Sequence, residues 1–376
     1  MKSNPYVYPT VPFKKLANKN ILDNFTAGKE LSFKALKEEV AKIKQPKVSP
    51  KGKSVEEKIL NLFLDSKVIF GPKEFISRDK KNWEEKFAYF VQKNKPLQFT
   101  ILGFPFKMPV ALKTSRKMPD MGEVLALSRL KSIVDNIKKI YDPGAVIHIF
   151  TEGGFGPFNG VAKNTWVDYD KFLRKIIKNL AWNKEFRVRM LSEMEGDANF
   201  KKNFKLRILE NKKLLADKDT DFMKKYTGTV SPLFKIVTSK KYAEDLLMDV
   251  YNENLPDDEV SQGVIAARND MRKRTDNCIV HYFAYLKTRD DLDFLNKTIP
   301  HYLALSVSPK PGRLGVTPIN EKCRLLPYHG VPVYSTKNKT WTIEYLIDIR
   351  RDGVKYEKVF LTEDVENEPF FYIRKG

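Results

Sequence analysis

Three segments constrain the fold most: "PLQFTILGF" (Pro96–Phe104), "GEVLALSRLKSIVDNIKKIY" (Gly122–Tyr141) and "GAVIHIF" (Gly144–Phe150). The first and third are short, apolar and rich in β-branched or aromatic residues, as strands buried on both faces are, while the second is helical in period. A strand, a helix and a strand in this order predict a parallel βαβ unit, whose functional loops leave at the carboxyl ends of the strands. Two unusual loops fall on that edge. One is the crossing "KMPVALKTSRKMPD" (Lys107–Asp120), whose prolines pin the backbone between a lysine and the acidic pair Asp120 and Glu123. The other is "TEGGFGPFNGV" (Thr151–Val161).

The remaining chain is organised around this unit. Residues 1–95 form a basic extension of short helical patches and Pro/Lys-rich connectors, in which "SVEE" has the form of a capping box that starts a helix at Ser54. Residues 96–290 hold the α/β unit and a charged, helix-periodic cover over 165–260 that shows no strand patterning. Residues 291–376 carry the strand-like runs "YLALSVSP", "LGVTPI", "VPVYST" and "TWTIEYLIDI", a smaller β-rich part. At 376 residues the chain has material for two domains and a sizeable core.

Charge narrows the partners. The net charge is +21, and residues 1–100 alone hold 21 Lys+Arg against 11 Asp+Glu, a net +10. Such a field attracts anions: nucleic acid, a lipid surface, or phosphorylated and carboxylated small molecules. Nucleic-acid recognition asks for a fold signature or aromatics interleaved with cations on a sheet face, and the chain shows neither. A solvated lysine-rich surface accounts for most of the charge. No apolar run approaches the roughly 20 residues that span a bilayer, and the start lacks the apolar core of a secretion signal, so a cytoplasmic location without a membrane partner is expected. Cys278 and Cys323 have no ligand spacing and read as reduced thiols. His148, His281, His301 and His329 are scattered, and no metal is expected.

Each candidate site residue has a plain structural counterpart. Asp120 and Glu123 stand i, i+3 at a helix start, as a capping box or as carboxylates placed to take a proton or hold an amine. Lys107 follows a strand end, where burial would make it an imine former or an anion binder; in a chain so rich in lysine the default is an exposed side chain. Glu152 opens a loop whose Gly154, Gly156 and Asn159 break a dinucleotide fingerprint, and it is a site acid or an ordinary loop carboxylate. His329 in "LPYHGV" titrates near neutrality, although a lone histidine is commonly structural. Lys310 and Arg313 in "SPKPGRLG" could grip a phosphate or be exposed turn charges.

In this order, "ILGFPFKMP", "PDMGEVLAL", "IYDPGAVIHIFTEGG", "LALSVSPKPGRLGV" and "LLPYHGVPVY" resemble the isocyanide (isonitrile) synthase family, also called the pyoverdine/dityrosine biosynthesis family. The resemblance runs from about Leu97 to Tyr334. It implies a Rossmann-like, mostly parallel sheet flanked by helices, with a smaller C-terminal part. It also implies an activity: the amine of an aromatic amino acid, tyrosine or tryptophan, becomes an isocyanide whose carbon comes from ribulose 5-phosphate, without a metal or redox cofactor. The product commonly passes to an iron- and 2-oxoglutarate-dependent oxygenase, and fungal relatives serve dityrosine formation through an N-formylated tyrosine.

By the family's motif positions Lys107, Asp120, Glu123, Glu152, Arg268 and His329 line the site. The expectation gives catalysis to Lys107, Glu123 and His329, and substrate binding to Asp120, Glu152, Arg268, Lys310 and Arg313. The chain departs from the bacterial pattern "RLSIHP" at Ala304 and Ser308, and from "SDGRVF" at Glu152 and Gly154. Those changes bear on which amino acid is held. The rival from another class is a non-catalytic basic protein using the same scaffold to bind nucleic acid or anionic lipid.

Overall fold

The computed structural model describes residues 25–46, 48–69, 73–107, 113–151, 162–238, 262–307, 311–320, 323, 325–350, 352–364 and 366–375. Two five-stranded sheets organise it. In the first, β2 (Leu97–Gly103) pairs in parallel with β3 (Ala145–Thr151), and Leu97 lies opposite Ala145 and Gly103 opposite Thr151. The strand order is β4–β3–β2–β5–β6, with every pairing parallel; β4 is Phe186–Met190, β5 Leu303–Ser306 and β6 Leu314–Gly315. The predicted βαβ unit is therefore present, and its two loops leave one edge of the sheet. Chain order reverses between β2 and β5, the switch point at which open α/β sheets form their crevices.

The helix of that unit, α4 (Met121–Ile140), is central. Its first ten residues, 121–130, are all buried, as in helices enclosed between layers, and only toward its C-terminal end do Asp135, Lys138 and Lys139 reach solvent. The longer helices that precede it among the described residues are α1 (Phe33–Ala41), α2 (Val55–Leu64) and α3 (Lys80–Gln92), with a single turn at Glu74–Ser77 before α3. Ser54 caps α2 as its motif predicts, its hydroxyl accepting from Glu57 N at 3.1 Å. The start of α4 rests on the short 3-10 turn Pro327–His329, where a Cβ on Gly122 would meet Pro327 O and Asp120 Oδ1 at 3.0 Å each. Gly330 in turn has no room for a side chain, since a Cβ there would lie 2.5 Å from Glu344 O. The glycine of "LPYHGV" is thus a close-approach residue that presses this turn onto its neighbour strand.

The second sheet runs β1–β9–β10–β7–β8: β1 is Phe25–Leu31, β7 Val331–Ser335, β8 Thr340–Glu344, β9 Tyr356–Leu361 and β10 Phe371–Arg374. It mixes parallel pairs (β1 with β9, β10 with β7) and antiparallel pairs (β9 with β10, β7 with β8). Here the structure differs from the sequence reading. The N-terminal extension is helical in part, but its "FTAGKEL" is a strand on the edge of this C-terminal sheet. Conversely, "LALS" and "LG", read with the C-terminal part, extend the first sheet as β5 and β6.

The region 165–260 also holds a strand that its charge conceals. β4, "FRVRM", is an edge strand with Phe186 buried and Arg187 exposed, an alternation of period two broken up by arginines. α5 (Lys163–Asn179) packs beside it, whereas α6 (Phe200–Ala216), α7 (Thr220–Thr238) and α8 (Gln262–Asp291) form a layer of their own. Leu191, Met194, Phe200, Tyr285 and Leu292 are its core, and it meets the sheet at Leu102. Among the described residues no helix is long and apolar enough to cross a membrane. Cys278 and Cys323 are both buried.

Candidate active site at the switch point

The crossing after β2 is the joint between the two sheets. Leu346 N donates to Lys113 O at 3.1 Å, Tyr372 OH reaches Ser115 Oγ at 3.3 Å, and Met121 N donates to Phe370 O at 3.1 Å. Arg116, fully buried, pairs with Asp364 and donates to Met118 O at 3.1 Å and Glu368 O at 3.3 Å, with its guanidinium 5.5 Å over the Phe370 ring. Residues 113–121 are thereby fixed against the second sheet.

Lys107 and the acidic pair meet where this segment enters α4. Lys107 is not the exposed lysine that composition favours: its side chain is wholly buried. Its Nζ lies 2.8 Å from Asp120 Oδ1 and 3.0 Å from Glu123 Oε2, and donates to Pro327 O at 2.6 Å. Three acceptors match the three hydrogens of an ammonium. Lys107 is therefore held at a fixed position by two carboxyl groups and a carbonyl.

Capping and charge coexist at the carboxylates. Asp120 Oδ1 accepts from Gly122 N at 2.7 Å and Glu123 Oε2 from Asp120 N at 2.8 Å, so the capping box is real. The same groups hold Lys107, and Glu123 Oε1 takes a hydrogen bond from Tyr169 OH at 3.0 Å. Tyr169, on α5, is fully buried and was not legible as a site residue. Its hydroxyl is pushed well above the usual phenol range by burial, with the Glu123 charge adding.

Two carboxylates beside one cation leave an excess negative charge that a dry site disfavours. Asp120 resolves it. Burial, reinforced by Glu123, raises its carboxyl well above the ordinary range against the opposing pull of Lys107 and Arg116. It is thus Asp120, expected as a substrate holder, that is set up to keep a proton.

The Asp120 assignment has a testable pH signature. A carboxyl with a raised folded pKa contributes stability that is present below the unfolded value near 4 and is lost as pH rises toward the folded value. Asp120→Asn has no such proton to lose. Its stability relative to the wild type should climb from about pH 4 upward, at most at about 1.4 kcal/mol per pH unit, and then level. Urea unfolding of both proteins across that range is the measurement, and a flat difference would put the proton elsewhere. Tyr169→Phe, by removing a donor from a buried carboxylate, should cost about 1–3 kcal/mol in the same assay at neutral pH; no loss would show that Glu123 does not depend on that hydroxyl.

The cluster sits beside a cavity of about 20 Å³ lined by Gly103, Phe104, Val307, Pro318, Pro327 and Tyr328 among others, directly at the β2/β5 switch point. That volume suits about one water. His329 is half-buried, two residues from the carbonyl that Lys107 binds, with its ring edge-on to Tyr328 at 4.8 Å. Arg268 is buried but sits on α8, in the separate helical layer. Arg313 directly precedes β6 and acts electrostatically on Tyr302, which precedes β5 at the opposite edge of the sheet from Lys107. Glu152 and Lys310, with Gly154, Gly156, Asn159 and Ser308, lie outside the described residues. A larger cavity of about 610 Å³, lined by Tyr89, His301, Tyr302 and Ala304 among others, lies on that far side and not at the cluster.

One further lysine was missed. Lys113, half-buried in the same crossing with its ammonium 5.1 Å over the Tyr345 ring, is lowered to about 8 by burial. It can give up a proton near neutrality. Its sequence context, one lysine among many, carries no signal of this.

Residues 87–355 match the family described as pyoverdine/dityrosine biosynthesis protein. The chain belongs to this family. Among its relatives are the L-tryptophan isonitrile synthase AmbI2 of Fischerella ambigua, 37% identical over 97 residues (26% of this chain and 29% of that protein), and the L-tyrosine isonitrile synthase of Xenorhabdus nematophila, 38% identical over 89 residues (23% and 27%). The spore wall maturation protein DIT1 of Saccharomyces cerevisiae is 28% identical over 127 residues (34% and 22%). The aligned stretches thus span less than a third of each relative's length. The crystal structure of the PvcA protein from Pseudomonas aeruginosa superposes with a TM-score of 0.65 at 19% identity, covering 85% of this chain and 99% of that one, a likeness of fold.

Proposed function

We propose that the protein is an isocyanide synthase, acting on the amine of tyrosine or tryptophan with ribulose 5-phosphate as carbon donor. The observation that carries this reading is the dry Lys107–Asp120–Glu123 cluster at the switch point of a family member's parallel sheet. The names of the two isonitrile synthases among the relatives support it.

The proposed chemistry needs protons to move in a water-poor place. Amine and ketone lose water to form an imine, and carbon–carbon cleavage then requires a proton to leave and another to return. In this reading Asp120 holds that proton, Glu123 is its partner carboxyl, and Lys107 positions both. His329 serves as a second proton carrier beside the Pro327 carbonyl. Arg268, Glu152 and Lys310 remain proposed as anion or amine contacts, and no metal or redox cofactor enters the scheme. An iron- and 2-oxoglutarate-dependent oxygenase would take the product.

The test is incubation with each aromatic amino acid and ribulose 5-phosphate, followed by mass spectrometry. An isocyanide product is expected. An N-formyl product would move the protein to the dityrosine type of chemistry, and no product with any aromatic amino acid would overturn the reading.

A further inference from the structure

The exposed face of α6 combines two features that seldom coincide. Leu206 and Leu209 are 48% and 58% exposed, the large hydrophobic side chains that stand out to solvent among the described residues. Both lie on this one helix. Lys201, Lys202, Lys205, Lys212 and Lys213 are exposed on it as well. At 3.6 residues per turn these seven positions fall within an arc of about 140° and extend about 18 Å along the axis.

The opposite face is spoken for. Asn211 donates to Val280 O at 3.0 Å, Arg207 pairs with Asp291 and with Glu210 at 2.5 Å each, and Phe204 packs on the core of the helical layer. Glu210, the acid of the helix, is therefore turned toward Arg207 and out of the lysine arc. The outer face is left with five positive charges, no negative one, Leu209 at its middle and Leu206 at its border.

We propose that this face docks on an anionic lipid bilayer surface. Lysines around an anionic bilayer gain about fivefold each in binding, and aliphatic side chains between them enter the boundary of headgroups and acyl chains. A nucleic acid backbone would use the lysines but gain nothing from protruding leucines, and the face offers no aromatic or arginine for stacking. The inference does not depend on the reaction proposed above, because α6 stands apart from the Lys107 cluster. It departs from the expectation of no membrane partner: the protein does not need to span a bilayer in order to lie on one.

The experiment is co-sedimentation of the full-length protein with vesicles of phosphatidylcholine, alone or with about one quarter phosphatidylserine. Binding to the anionic vesicles and release at about 0.5 M salt are expected. Lys202→Glu/Lys205→Glu/Lys212→Glu should weaken it by about 100-fold or more, and Leu206→Ser/Leu209→Ser by about tenfold. All five side chains are exposed, so circular dichroism should show both variants folded. Absent or equal binding to the two vesicle types overturns the proposal. So does vesicle binding that ignores the leucine change while a single-stranded oligonucleotide competes for the same lysines.

Discussion

Lys107→Met should lower stability by about 3–5 kcal/mol near neutral pH and abolish turnover. The substitution keeps the volume of the side chain but removes the charge from a site where Lys107, Asp120 and Glu123 are each at most 1% exposed. What remains are two buried carboxyls whose shared cation is gone. Asp120 then loses the main influence that opposes its burial, and the protonated form becomes still more favoured in the folded state. The sign follows: the deficit is largest at high pH, where the unfolded chain is ionised and the variant must bind a proton at Asp120 to fold, and it shrinks as pH falls toward 5. Urea unfolding at pH 5 and 7.5 measures it. Lys107→Arg should not rescue, because a planar fork cannot meet Asp120, Glu123 and Pro327 O from the position of a compact ammonium. A Lys107→Met protein as stable as the wild type at both pH values would mean that the cluster carries no net ionic interaction.

Much of this site was legible, though not for the reasons that make it work. The βαβ unit follows from hydrophobic period alone, and with it the shared edge of the loops after β2 and β3. Proline and charge marked the crossing as special. What the sequence does not encode locally is which charges meet: Lys107, Asp120 and Pro327 are joined by the fold across 220 residues. Tyr169 shows the same limit. It occupies one turn of an amphipathic helix like any core aromatic, and only the approach of α5 to α4 brings its hydroxyl to Glu123. β4 was hidden by its arginines, and β1 by a glycine and charges that weaken β-propensity but cost little on an edge strand. The choice between capping box and proton carrier could not be made from spacing, because the geometry satisfies both.

Arg116→Met should be among the most destabilising substitutions outside the apolar core, at about 3–5 kcal/mol, although Arg116 touches no proposed substrate. Its guanidinium is wholly buried against Asp364, itself 1% exposed, with Glu366 at 3.8 Å and the carbonyls of Met118 and Glu368 as further acceptors. Removing the cation strands the Asp364 carboxylate and takes away one of the contacts that tie the crossing to the second sheet. Because Asp120 lies four residues on and feels Arg116 electrostatically, turnover should fall along with stability. The pair can be separated from its role as a joint by a double-mutant cycle. Arg116→Met/Asp364→Leu replaces both charges with apolar side chains and should recover most of the stability that Arg116→Met loses, since a buried ion pair and a packed apolar pair are often close in free energy. The recovered protein should still be slow, because Lys117 N and Met118 N keep their bonds to Glu366 while the guanidinium that fixed the loop beneath Asp120 is absent. If the double variant is as unstable as Arg116→Met, Arg116 acts through its carbonyl contacts and packing rather than through Asp364; if it regains full turnover, the crossing does not need this clamp to hold the cluster in place.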